Sequence, residues 1–258
     1  MSGVAAELAR VDVHGRVARL TLGRPEARNA LSLDLLRALR AALAGVQERA
    51  ARGEVTVLIL TGEGKAFCAG MDLKAVLGDD GLARTLLNEL AEFTLELRAL
   101  PAVTLARVNG AAIGGGCGLA CVCDFVVTHA DAKMGFPEVD LGVCPAVVAP
   151  WVVRRVGAGR ARQLLLAGGL MSGAQAVECG LATHAAADAA SLDGATEALT
   201  ARLAQGGPGA LRATKALLNE LDGSLETAAV MRGAELSASV LRGEEARSML
   251  RAHLSRKG

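Results

Sequence analysis

The sequence predicts an α/β fold with a helical C-terminal region, and three observations lead there. Apolar runs of strand length recur at residues 55–61, 103–108 and 124–129. Between them lie segments whose apolar residues repeat at helical spacing. From about residue 135 onward only helical patterns are read, so strands and helices alternate first and helices follow alone. With 52% hydrophobic residues in 258, the chain can fill one large core.

Residues 11–22 hold two alternating runs around Gly15, a β-hairpin pattern. A polar loop over 23–32 ends in Ser32, an N-cap for a helix over 33–52. The strand at 55–61 feeds a glycine-containing loop, 62–73. Leu86, Leu87, Leu90, Phe93, Leu97 and Leu100 share one face of a helix that Pro101 stops. The strand at 103–108 halts at Asn109-Gly110, and after Gly114-Gly115-Gly116 a breaker-free stretch, 117–122, reads as a short buried helix. Helices are expected over 147–155 and 160–166, from Ser172 through Cys179, and from 195 onward with breaks at Gly206-Gly207-Pro208 and Asp222-Gly223. The division expected is a core over 1–195 and a helical region over 196–258.

Charge and composition exclude several classes. A net charge of +1 leaves no electrostatic footprint for nucleic acid, and 2% aromatics without tyrosine offer few stacking platforms. The six cysteines, 68, 117, 121, 123, 144 and 179, sit mostly in apolar runs and read as reduced, buried thiols. Cys121 and Cys123 lack a second pair at zinc spacing, so no metal site is expected. Residues 1–10 lack the charged start and apolar stretch of a signal peptide, and the apolar runs are too short to span a bilayer. The expectation is a cytoplasmic protein with no membrane partner.

Three glycines between a strand and a helix leave backbone N–H groups unshielded, where the helix dipole adds partial positive charge. Such a turn suits an oxygen that gains negative charge, although glycines also serve simply to pack a helix on a sheet. The loop Phe67-Cys68-Ala69-Gly70-Met71-Asp72-Leu73 repeats the arrangement and frees the amide of Met71. Two donors from separate turns can meet at one carbonyl oxygen, each contributing roughly 3–4 kcal/mol to an oxyanionic transition state. Other glycine motifs fail. Gly64-Lys65 lacks the following Ser or Thr of a phosphate loop, and the central glycines are out of register for dinucleotide binding. No G-x-S-x-G is present, and the four histidines fall in no catalytic context.

This pair of turns resembles the enoyl-CoA hydratase/isomerase (crotonase) family. The matching stretches are Arg24-Pro25 with Asn29-Ala30-Leu31, residues 66–73, residues 101–124, Gly135-x-Pro137-Glu138-x-x-Leu141-Gly142, Arg154-Arg155-Val156-Gly157 and Ala176-x-x-x-Gly180-Leu181-Ala182. The likeness runs from about residue 10 to about 255. It implies a spiral of β-β-α turns, a helical C-terminal region that mediates trimer formation, and assembly as a homotrimer or a dimer of trimers. It implies a CoA thioester as substrate, with no metal or redox cofactor.

By the same resemblance, the amides of Met71 and Gly115 form the oxyanion hole. The backbone around Ala66, Phe67, Ala69 and Met71, with Asp72, Leu73 and Gly114, receives the substrate, and Arg24, Arg28 or Lys257 meets its phosphates. Basic loop residues are also simply solvated, and Asp72 is equally explained as an N-cap. Family hydratases commonly use two glutamates; one matches Glu138, while the other falls at Gly118. The loss of that side chain is expected to leave room for a bulkier acyl group or a water. Glu138 reads as the general acid–base, its pKa raised in an apolar pocket, against the alternative of an exposed loop carboxylate. Asp140 is given no catalytic role, and Cys144 is read as packing.

One carboxylate allows hydration of a 2-enoyl thioester, its reverse, or a double-bond shift. Gly118 and the Pro145-Ala-Val-Val-Ala-Pro150 run resemble methylglutaconyl-CoA-type hydratases, which take branched or carboxylated acyl groups. Dehydratases of polyketide β-branching, whose acyl group rides on a carrier protein, share a similar Pro-Ala-x-x-x-Pro stretch. Hydration or dehydration is the expected activity, with isomerisation, or thioester binding with little turnover, as the alternatives.

Overall fold

The computed structural model describes residues 8–256, and within them ten strands form two sheets. The hairpin β1 (Ala9–His14) and β2 (Val17–Leu22) opens the chain, turning at Gly15. Helix α1 (Leu33–Ala51) follows, with Ser32 Oγ accepting from the Leu35 amide at 3.2 Å as an N-cap. The chain then winds through three similar turns. Strand β3 (Val57–Gly62) lies in the larger sheet and β4 (Ala66–Cys68) in the smaller, before α2 (Leu73–Gly78) and α3 (Asp80–Ala99). Strands β5 (Val103–Arg107) and β6 (Ala111–Ile113) repeat the step and lead into α4 (Gly115–Val122). Strands β7 (Phe125–His129) and β8 (Lys133–Gly135) repeat it again and lead to α5 (Ala149–Ala167), which bends at Gly157.

After these come β9 (Leu170–Ser172), α6 (Gly173–Glu178), β10 (His184–Ala186) and the helices α7 (Leu192–Ala204), α8 (Pro208–Leu221), α9 (Thr227–Leu241) and α10 (Glu244–Ser255). The larger sheet runs β1-β2-β3-β5-β7-β10 and the smaller β4-β6-β8-β9. Pairing is parallel except for β1 with β2 and β8 with β9. Strands buried on both faces suit a parallel sheet, and β3 is buried at every residue. This is the expected spiral of β-β-α turns.

The expectation of helices alone beyond residue 135 is corrected, because β9 and β10 complete the two sheets. Strand β4 likewise lies inside what reads as a loop. All three are three-residue strands, too short for an alternating pattern, and they are held by neighbours such as Gly135 against Leu170 and His184 against Val127.

A buried ionic cluster ties α8 to the spiral. Lys215 Nζ donates to Ala102 O at 2.8 Å and lies 2.9 Å from Asp124 Oδ2, which also accepts from the Thr104 amide at 2.8 Å. Arg98 bridges Asp124 Oδ1 at 3.1 Å and Asp222 Oδ2 at 2.9 Å. Burial works to raise the Asp124 carboxyl, but Lys215, the Thr104 amide and Arg98 outweigh it and hold it below the usual range. Removing one partner strands the other charge, so Lys215→Met is expected to destabilise the chain by about 3–5 kcal/mol in urea unfolding. Wild-type stability of that variant contradicts the assignment.

Candidate active site

The site forms where two strand-to-helix turns touch. After β4, Gly70 turns the chain toward α2; after β6, Gly114 turns it into α4. Gly70 has φ +86°, and a Cβ there would stand 2.7 Å from Ile113 O and 3.8 Å from Gly115 N. Only glycine permits both the conformation and the approach. Gly114, at φ +56°, lies so close to Glu138 that a Cβ would fall 2.8 Å from Oε1.

Both predicted amides border the same pocket. Met71 forms a single parallel bridge with Leu31. There Leu31 N donates to Gly70 O at 2.8 Å and Asp72 N donates to Leu31 O at 3.0 Å. The residues flanking Met71 make those bonds, so its own N–H faces away from Leu31. Gly115 opens α4, where a helix amide has no intrahelical acceptor.

Glu138 follows Pro137 and opens a 3-10 turn, Val139–Leu141. Its carbonyl accepts from Leu141 N at 3.0 Å and Val143 N at 2.9 Å, which fixes the backbone under the side chain. Oε2 is buried and has no hydrogen-bond partner among the described residues. Burial pushes the carboxyl up to about 7, against its own backbone amide and with a further push from Asp140. Asp140 itself is turned elsewhere, its Oδ2 accepting from Gly169 N at 2.8 Å.

The pocket, about 610 Å³ including the part open to solvent, is walled by Leu87 and Leu90 of α3, by Ile113, and by Val143, Val147 and Val148 after the Glu138 turn. Ala69, Met71, Leu73, Gly114, Gly115 and Glu138 all line this one pocket. The others do not line it. Arg24 is held by Ala30 O at 2.9 Å and by Asp72 Oδ2 at 3.3 Å, while Asp72 Oδ1 caps α2 through Ala75 N at 3.4 Å. Arg28 is exposed, and Ala66 and Phe67 are buried, the latter in the core. Lys257 lies outside the described residues.

Gly118 requires a correction. It is fully covered, and a Cβ there would sit 2.6 Å from Val148 Cβ and closer still to Val148 Cγ1. The space left by the missing glutamate is filled by Val148, so no room for acyl chain or water opens.

Sequence reading missed Ser237 of α9, which borders the pocket. Its Oγ donates to Cys144 O at 2.8 Å and accepts from Ala146 N at 3.2 Å, pinning the 143–148 segment to the C-terminal helices. Ser237→Ala takes this partner from the buried Ala146 amide and the part-buried Cys144 carbonyl. The expected loss is about 1–3 kcal/mol in urea unfolding, with a rise in KM as the wall loosens. An unchanged midpoint and KM contradict this role.

Two sheets wound from β-β-α turns, with a lone acid set against twin glycine turns, define the crotonase-fold class of α/β enzymes. The chain belongs to the enoyl-CoA hydratase/isomerase family, whose model matches residues 12–253. It is 35% identical over 206 residues to the 2,3-dehydroadipyl-CoA hydratase of Escherichia coli, covering 80% of this chain and 79% of that one. Among solved structures it resembles Pseudomonas aeruginosa AtuE, at 37% identity and TM-score 0.78, with 97% of each chain covered. It also resembles an enoyl-CoA hydratase from Mycobacterium avium, at 30% identity and TM-score 0.85, covering 99% of this chain and 98% of that one. Among the described residues, no helix is long and apolar enough to cross a membrane.

Proposed function

We propose that this protein adds water to a 2-enoyl-CoA thioester, or removes it from the hydrated product, with Glu138 as the single general acid–base. The observation that carries the reading is the Glu138 carboxyl in an apolar pocket, against Gly114, with Oε2 unpartnered. The amides of Met71 and Gly115 receive the thioester oxygen. Polarising that carbonyl makes the β-carbon electrophilic and stabilises negative charge when it reaches the oxygen. The Glu138 carboxylate takes a proton from water as the water attacks the β-carbon, then delivers a proton to the α-carbon. One carboxylate serving both steps adds H and OH from one face. In reverse, it takes the α-proton and protonates the departing hydroxyl.

The CoA moiety leaves the pocket past the turn of residues 69–71, with exposed Arg28 toward its phosphates. Exposed Leu166, Leu217, Leu218 and Leu221 support assembly into a homotrimer or a dimer of trimers. The lone carboxyl also favours a second reading, an isomerase that moves one proton along an allylic system. Incubating crotonyl-CoA in deuterated water separates the readings. Hydration gives a product heavier by one solvent water, whereas isomerase chemistry exchanges deuterium without adding water. Equal slow rates for wild type and Glu138→Gln would leave only a thioester binder.

A further inference from the structure

Granting that reading of the site, we infer that the pocket selects acyl groups that are uncharged and apolar beyond the thioester, and discriminates against those carrying a carboxylate. This runs against the carboxylated substrates implied by the likeness to methylglutaconyl-CoA-type hydratases, and it rests on what lines the cavity. Leu87, Leu90, Ile113, Val143, Val147 and Val148 form its walls, and no Lys, Arg or His borders it among the described residues. The ionisable side chains present are Glu138 and the Cys144 thiol, which burial keeps protonated.

Cations close to the site in sequence are engaged or outside it. Arg24 is spoken for by Asp72 and Ala30, and Lys74, next to Leu73, is exposed and does not line the pocket. Donors are as scarce as charges. The Ser237 hydroxyl already donates to Cys144 O, and the Met71 and Gly115 amides are committed to the thioester oxygen. An acyl carboxylate would lose its hydration, find no partner and face the negative charge of Glu138. Val148 adds shape to this selection, because it occupies the space above Gly118 and closes the place where another polar side chain would enter.

The test uses ligands of equal length that differ only at the far end. Hexanoyl-CoA and adipyl-CoA share six acyl carbons and the same CoA, so their difference in affinity reports the pocket alone. Calorimetric titration of the full chain at pH 8 is expected to give a Kd for hexanoyl-CoA lower by about 100-fold or more, the scale set by an unpartnered buried charge. Equal affinities within about threefold, or tighter binding of adipyl-CoA, overturn the inference, as does a failure of both to bind.

Turnover of hex-2-enoyl-CoA and 2,3-dehydroadipyl-CoA then separates this inference from the proposed reaction. Selective binding of hexanoyl-CoA without hydration of hex-2-enoyl-CoA removes the reaction and leaves the selectivity standing. Hydration of both at equal kcat/KM removes the selectivity and leaves the reaction.

Discussion

Glu138→Gln is expected to lower kcat for crotonyl-CoA hydration by about 10²–10⁴-fold, the usual contribution of a positioned general acid–base. KM should change little, because the thioester oxygen is held by main-chain amides. The same variant should be the more stable protein at alkaline pH. The folded-state pKa of Glu138 is raised from 4.5 to about 7. Folded protein therefore binds this proton more tightly than unfolded protein, and stability contributed below pH 4.5 is lost as pH rises through 7. By pH 8 the loss approaches about 3 kcal/mol, which glutamine, having no charge to bury, escapes. Urea unfolding of both proteins at pH 5 and pH 8 checks this. The gap between them should shrink to under about 1 kcal/mol at the lower pH and favour the variant clearly at the higher. A variant that is inactive and less stable at pH 8 would mark Glu138 as a structural residue instead.

Gly118→Glu is expected to disrupt the fold rather than restore a two-glutamate site. Its Cβ alone would overlap Val148, and the carboxylate beyond it would enter a helix buried from Gly116 through Val122. Overpacking and an unpartnered buried charge together should exceed about 3 kcal/mol. Pairing the change with Val148→Ala removes the overlap and should recover part of that loss, read as the urea midpoint of the double variant against each single one. A Gly118→Glu protein as stable as wild type would mean that Val148 yields easily and that the pocket is larger than its walls indicate.

Local chemistry made much of the fold legible. Ser32 and Ser172 cap α1 and α6 as their positions in the sequence imply, with Gln175 completing a capping box at the second. The two helices expected over 147–155 and 160–166 are the halves of α5, parted at Gly157. Both glycine turns and Glu138 converge because each turn is a local strand-to-helix junction that repeats along the spiral. The smaller sheet stayed hidden, since residues such as Ala111, Ala112 and Met134 pair through partners distant in the chain, not through a pattern of their own. The pocket walls were hidden for a related reason. Helical spacing assigns Leu87 and Leu90 to a buried face without saying that the face borders a cavity. Ser237 bonds to Cys144 and Ala146 across more than ninety residues, beyond any local signal. Gly118 was read as space because an absent side chain carries no information about the neighbour that replaces it.

The most direct test of the proposed chemistry is the pH dependence of kcat/KM for crotonyl-CoA hydration. Water addition is neutral in protons overall, and the ionised carboxylate begins the reaction in either direction. Hydration and dehydration should therefore share one profile, rising with pH and levelling near 7, where the Glu138 carboxyl titrates. In Glu138→Gln the residual rate should lose that break. A profile flat from pH 5 to 9, or the same break retained in the variant, would contradict a mechanism run by this one acid.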